Sequence, residues 1–256
     1  MILADLRPTE RFAGRQSDYS TARPGYPAEI IKFLEDHSKF STETVVADVG
    51  SGTGKLTSLF LENGNEVFAI EPNADMRNEA QRLLGTYRSF HNVEGSAEAT
   101  GLPDESVDLV SAGQAFHWFD HEKAKKEFSR ILKPQSFVML VWNTRKKKKG
   151  TFSHDYEELI ERGRSRSLGW SSSEPQAEEI LRFFRRAKFE VAKFENAQSF
   201  DFPRLLARLR SASYMPKDGV AYERLVKSAR KTFARHESHG IVTMDYETEV
   251  YLGKLR

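Results

Sequence analysis

An aspartate closes a short apolar run, and three glycines follow it at alternate positions: Val45-Val46-Ala47-Asp48-Val49-Gly50-Ser51-Gly52-Thr53-Gly54. The run describes a buried strand and the glycines a tight turn, where backbone can approach a ligand that side chains would exclude. That is the chemistry of a nucleotide-type site, and spacing restricts the nucleotide. A dinucleotide fingerprint, G-x-G-x-x-G, fails in both registers because Lys55 and Thr57 stand where the third glycine belongs. A phosphate-cradling P-loop fails too: Gly50 and Gly54 are one residue too close, and Leu56 follows Lys55 where Ser or Thr is needed. A second acid, Glu71, closes the next apolar run, Val67-Phe68-Ala69-Ile70, 17 residues past Gly54. Between the two runs, Leu56, Leu59 and Phe60 trace one helical face and Asn63-Gly64 is a helix stop. A strand-helix-strand unit puts both strand ends on one edge of a parallel sheet, where Glu71 can accept both hydroxyls of a ribose.

An acid followed by G-x-G-x-G, with a further acid at the end of the second strand, resembles the first motifs of the class I S-adenosylmethionine-dependent methyltransferases. The resemblance implies a cofactor, S-adenosyl-L-methionine, held by Asp48, Gly50, Ser51, Gly52, Gly54, Glu71 and Pro72. It also implies an adenine-binding segment at Val93-Glu94-Gly95-Ser96-Ala97-Glu98, in which Ser96, Ala97 and Glu98 meet the base. Many relatives have Asp where this chain has Ser96; a backbone contact from Ala97 is insensitive to that change. An ordinary surface loop is the competing account of this segment.

Ser111 to Asp120 follows the strand signal Ser106-Val107-Asp108-Leu109-Val110 and crowds polar and aromatic residues at a strand's carboxyl end, where open α/β sheets bind ligands. Gln114 is assigned to the cofactor, and Phe116, His117, Trp118 and Trp142 to the methyl acceptor. His117 is a candidate base, although a single histidine among aromatics is more often a hydrogen-bonded packing residue. At the N-terminus, Phe12, Asp18-Tyr19 and Arg23-Pro24-Gly25-Tyr26-Pro27 are similar to the leader of a subgroup that includes trans-aconitate methyltransferases. By that resemblance Tyr19 and Arg23 lie over the cofactor, and Arg23 meets its carboxylate or an acidic substrate; a rigid tether is the alternative.

The elements that must position these groups alternate strictly between strand and helix. A one-sided stripe, Ala124, Phe128, Ile131 and Leu132, stops at Lys133-Pro134, and Phe137 to Trp142 reads as a fifth strand. Phe189, Val191 and Phe194 suggest another. Val242, Met244, Tyr246, Val250 and Leu252 keep period two with one polar face, as an antiparallel strand near a sheet edge does. The expected fold is α/β and doubly wound, a mostly parallel seven-stranded sheet with an antiparallel C-terminal strand, Rossmann-like. Residues 1–40 form a lid segment and first helix; residues 41–256 form the methyltransferase domain. A helical cap insertion is expected at 203–239, either closing the acceptor pocket or merely packing on the sheet; Ser213-Tyr214-Met215-Pro216 within it offers Tyr214 to the active site.

Composition bounds the function. The chain has 256 residues, Lys+Arg 39 against Asp+Glu 37, and a net charge of +2, so its overall field gives little reason to expect nucleic acid. The run Arg145-Lys146-Lys147-Lys148-Lys149 lacks interleaved aromatics, which leaves an RNA methyltransferase as the alternative and a solvated loop as the simpler reading. With no cysteine there is neither a disulfide framework nor thiolate chemistry. No signal pattern or membrane-length apolar run is seen, so a cytoplasmic protein without metal and with a small-molecule partner is expected. A carboxylic acid is the first acceptor to consider, because it needs no base. A cofactor-binding regulatory protein without catalysis would carry the same binding residues.

Overall fold

The computed structural model describes residues 23–163, 177–184, 189–212 and 215–255. Phe12, Asp18, Tyr19 and Tyr214 lie outside them. After a first helix, α1 (Glu29–His37), the glycine-flanked units appear in order: β1 (Val46–Val49), α2 (Lys55–Asn63), β2 (Val67–Ile70), α3 (Ala74–Leu84), β3 (Phe90–Val93) and β4 (Val107–Gly113). Then come α4 (His121–Ile131), β5 (Leu132–Arg145), α5 (Phe152–Gly163), α6 (Ala177–Phe183), β6 (Phe189–Phe200), α7 (Phe202–Ser211), α8 (Gly219–His236) and β7 (Val242–Gly253).

The strands form one sheet in the order β3-β2-β1-β4-β5-β7-β6. All neighbouring pairs are parallel except those of β7, which runs antiparallel to both β5 and β6. This is the doubly wound, mostly parallel arrangement expected from the sequence, with the reversed C-terminal strand second from the edge. β1 is buried at every position because helices cover both its faces. Val46 faces α1, α2 and α3, with Ile30, Leu34, Leu56, Phe60 and Leu84. Ala47 and Val49 face α4 and α6, with Phe128, Ile131, Ile180 and Phe183. Period-two alternation along β1 thus divides the core into two layers.

Three elements differ in extent from the sequence reading. β5 starts before Phe137, because Leu132 pairs with Val107 and the ladder resumes at Leu109–Phe137 after a register shift. That irregularity absorbs Pro134, and Gln135 takes φ +65° within it. At its other end β5 continues past Trp142, since Asn143, Thr144 and Arg145 pair with Thr248, Glu247 and Tyr246 of β7. β6 likewise runs on to Phe200, carried by polar residues whose backbone pairs with β7. α5, which sequence periodicity did not single out, packs Phe152, Tyr156, Leu159 and Ile160 with Leu205 and Leu209 of α7 and Leu225 and Ala229 of α8. Phe200, Val242, Met244 and Tyr246 of the β6–β7 hairpin complete this third core. The three helices therefore share their own apolar centre beyond the carboxyl ends of the sheet strands.

Asn143 ties the chain's early segment to this edge. Its Nδ2 donates to the Gly25 carbonyl (3.1 Å), and its Oδ1 accepts from Asn196 Nδ2 (3.0 Å) and from the Thr248 hydroxyl. Asn196 Nδ2 also reaches the Gly25 carbonyl at 3.0 Å. Buried amide groups that lose such partners are left unsatisfied. Asn143→Ala is therefore expected to destabilise the fold by about 2 to 4 kcal/mol and to raise amide exchange around Tyr26; a urea midpoint unchanged from wild type would contradict it.

Candidate functional site

Every glycine of the turn has positive φ: Gly50 +69°, Gly52 +58° and Gly54 +84°. Their surroundings separate their roles. A Cβ on Gly50 would lie 2.6 Å from Ala115 Cβ, and one on Gly54 would lie 2.4 Å from Leu84 Cδ1. Those two glycines let the turn pack against the protein. A Cβ on Gly52 would meet nothing within 4 Å. Gly52 is the position where bare backbone faces open space, as a ligand cradle requires.

Asp48 has no exposed surface, and both of its oxygens are engaged inside the protein. Thr57 donates to Oδ2 at 2.6 Å and Ser111 to Oδ1 at 3.0 Å. Asp48 is thus an internal anchor joining β1, α2 and β4, which corrects the expectation that it touches the cofactor. Burial drives its carboxyl up to about 6, the hydroxyl donors opposing the shift.

Glu71 lies at the edge of the turn and is nearly buried. Its Oε2 accepts from the Gly52 N–H (3.0 Å) and its Oε1 from the Asn73 N–H (2.9 Å). Burial pushes this carboxyl up, against the opposing backbone donors and Arg77. Each oxygen retains a lone pair, so two further donors can be accepted. Arg77 steadies the segment by donating to the carbonyls of Glu71 (2.9 Å) and Pro72 (2.8 Å), while the Pro72 side chain is exposed. The turn itself is pinned to β2: the N–H groups of Gly50 and Ser51 both donate to the Ile70 carbonyl, at 2.8 and 3.1 Å.

Across the crevice, Ser96 and Ala99 exchange backbone hydrogen bonds, the Ser96 hydroxyl accepts from the Glu98 N–H, and Ala97 is buried. Glu98 Oε1 accepts from the Asp120 N–H at 2.9 Å, so this side chain ties the loop after β3 to the one after β4. At the end of β4, Gln114 takes φ +55°, and its Nε2 donates to the Asn143 carbonyl at 3.1 Å. Its Oε1 is buried without a partner, as is Thr53 Oγ1 in the glycine turn. His117 is part-exposed, with its Nδ1 buried and unpartnered. Burial, aided by the neighbouring His121, holds its pKa down at about 4. Trp118, also part-exposed, sits 4.8 Å from the His117 ring.

Two of the proposed acceptor contacts are corrected. Phe116 is fully buried, stacked on His121 at 4.1 Å, and Trp142 is 1% exposed and edge-on to Phe116 and Tyr251. Aromatic residues this enclosed support the wall from behind, and the Trp142 Nε1 is buried without a partner. Arg23, part-buried, opens the described segment that Asn143 tethers. At the start of the basic run Arg145 forms a two-bond, largely buried pair with Glu157, and Lys146 pairs with the exposed Glu195 at the surface. Sequence reasoning overlooked Asn143 and Ser111, whose signal is a polar residue set inside an apolar strand at its carboxyl end.

Residues that fit an adenosyl-methionine group are therefore present: an open glycine, a carboxylate with two acceptor positions to spare, and buried polar atoms without partners. Among the described residues no cluster of His, Cys, Asp or Glu could hold a metal ion, and no helix is long and apolar enough to cross a membrane.

Comparison with known proteins agrees with this geometry. Residues 47–140 match a family described as a methyltransferase domain. A methyltransferase of Schizosaccharomyces pombe whose role is uncharacterized is 40% identical over 133 residues, 50% of this chain and 51% of that protein. A similarly uncharacterized methyltransferase of Mycobacterium bovis is 37% identical over 139 residues, 54% of each chain. The chain spans about half the length of the curated relatives it matches. Among solved structures, a type II methyltransferase candidate from Anaeromyxobacter dehalogenans superposes with a TM-score of 0.64 at 20% identity, covering 91% of this chain and 98% of that one. The seven-stranded fold is that of the Rossmann-like methyltransferases.

The Asp48 and Gly52 environments give two expectations. An Asp48 carboxyl titrating near 6 when folded and near 3.8 otherwise holds its proton more tightly in the fold, so the stability it contributes is complete below about pH 4 and lost as pH rises through 6. Relative to Asp48→Asn, wild type should lose on the order of 3 kcal/mol between pH 4 and pH 8; parallel stability curves in urea would refute this. Gly52→Val should fold, at a cost of about 1 to 2 kcal/mol for a β-branched residue at positive φ, yet lose adenosyl-ligand binding. Undiminished affinity in that variant would remove the turn from the site.

Proposed function

We propose that this protein is an S-adenosylmethionine-dependent methyltransferase acting on a small molecule, with a carboxylic acid as the acceptor class. The observation that carries the reading is the bridge from the Gly52 N–H to Glu71 Oε2 (3.0 Å) beside open space at Gly52. The bridge uses the amide that a diphosphate oxygen would otherwise take, and it places a carboxylate where a diphosphate would be repelled. An adenosyl group with a cationic sulfonium suits the same cradle, its ribose hydroxyls donating to Glu71.

The bound cofactor supplies a methyl group already made electrophilic by its positively charged sulfur. The chain's part is to bind, to align and to exclude water. Gly52 and Glu71 hold the adenosyl portion. Ser96, Ala97 and Glu98 border the base, and Gln114 offers its buried Oε1 as an acceptor. The helices α5, α7 and α8 cover the acceptor side. His117, with a pKa near 4, is neutral at pH 7 and a weak base there. An acceptor that is already an anion needs no proton removed, which favours a carboxylate over a phenol or an amine. The early segment held by Asn143 would carry Arg23 toward the cofactor.

Parallel calorimetric titrations with S-adenosylmethionine, S-adenosylhomocysteine and a nicotinamide dinucleotide test the cofactor. The first two should bind and the third should not; the reverse pattern overturns the reading. A methyl-transfer assay on carboxylic acids, phenols and amines then tests the acceptor class, and turnover restricted to phenols or amines eliminates the acid. Glu71→Ala should weaken cofactor binding by roughly 2 to 4 kcal/mol as two charge-assisted hydrogen bonds are lost; an unchanged dissociation constant would dismiss the clamp.

A further inference from the structure

The helical layer buries one positive charge that its neighbours do not neutralise. Arg208 lies on the inward stripe of α7 with Leu205, Leu209 and Ala212 and is only 4% exposed. Its Nε is buried and makes no hydrogen bond. Guanidinium groups taken out of water are ordinarily matched by a carboxylate or by several acceptors, because desolvating the charge is otherwise uncompensated.

The acid that feels Arg208 is Glu157 on α5. Burial pushes its carboxyl up, and the hydrogen bonds and charge of Arg145, with the charges of Lys147 and Arg208, more than reverse this. Glu157 is nevertheless already committed: Arg145 Nε meets Oε2 at 2.8 Å and Arg145 Nη2 meets Oε1 at 2.9 Å. Both guanidiniums act on one carboxylate whose hydrogen bonds go to Arg145, which leaves the buried Arg208 charge without a hydrogen-bonded acid among the described residues. The Arg145 end of the cluster lies near the Gln114 side of the site. Arg145 stands two residues beyond Asn143 on β5, about 7 Å along an extended strand, and the Asn143 carbonyl is the group that holds Gln114.

Resting on the methyl-transfer reading above, we infer that Arg208 is the specificity-determining residue of the acceptor pocket, its unengaged Nε edge receiving an oxyanion of the acceptor, a carboxylate or a phosphate. The fork of an arginine pairs two oxygens at once, whereas a lysine offers a point charge, so geometry as well as charge selects the ligand. The Arg145–Glu157 pair keeps the second guanidinium occupied and leaves the anion to Arg208.

Anion binding by the full chain tests this, with succinate, citrate and inorganic phosphate as probes, followed by calorimetry and by the shift in thermal midpoint. Wild type, Arg208→Met and Arg208→Lys are compared. Wild type should bind at least one probe; Arg208→Met, which keeps the stem volume, should bind it about tenfold more weakly or worse, with Arg208→Lys between. Preference for succinate or citrate identifies an acid acceptor, and preference for phosphate a phosphorylated one. No binding by wild type, or equal affinity in wild type and Arg208→Met, overturns the assignment. If Arg208→Met does not fold, Arg208→Lys decides: weaker binding supports the fork and unchanged affinity overturns it. S-adenosylhomocysteine titrated into the same preparations reads the cofactor site alone, so its failure to bind wild type counts against methyl transfer and leaves the anion result to stand by itself.

Discussion

The buried carboxylate of Asp48 is the constraint on which the site is built. One oxygen takes the Thr57 hydroxyl of α2 and the other the Ser111 hydroxyl of β4, so a single group fixes the strand before the turn, the helix after it and the strand across the switch point. Hydroxyl donors partly offset the desolvation of the charge. The three left-handed glycines then run between fixed ends, and the Ile70 carbonyl holds the Gly50 and Ser51 amides from the side. An open backbone surface at Gly52 follows from this clamping, because a turn free to relax would close over its own amides.

Much of the architecture was legible in residue pattern because parallel strands covered on both faces must be continuously apolar. β1 and β2 show this plainly, and the alternation from Val242 to Leu252 announced a strand with one wet face. What escaped were stretches where backbone pairing alone extends a strand. Residues 143–145 of β5 and, apart from Ala197, residues 195–199 of β6 carry polar side chains, and their strand character comes from β7. α5 escaped for a different reason: its apolar face has meaning only against α7 and α8, which arrive later in the chain.

The site was legible at the level of motif and less so at the level of role. Glycine spacing pointed to the turn, but spacing does not distinguish a glycine that admits a ligand from one that admits a neighbour's methyl group, as Gly50 and Gly54 do. An acid at a strand end was read alike at 48 and 71, although one is sealed and the other borders open space. Aromatic residues were read alike at 116, 118 and 142, although only Trp118 keeps exposed surface. Depth is a tertiary property that a linear pattern carries only weakly. Arg208 illustrates the converse: a cation in an apolar helical stripe is visible in sequence, but its meaning depends on Glu157 being spoken for by Arg145.

β7 residues 242–244 pair with β6 alone, beyond the point where β5 ends at Arg145. The two-stranded arm so formed contributes Phe200, Val242 and Met244 to the centre shared by α5, α7 and α8, and Tyr246 follows at its root. These helices lean on a cantilever whose root is the central scaffold. Side chains on the beam's inward face help to seat all three helices at once, so a change of strand twist there would be felt across the whole layer.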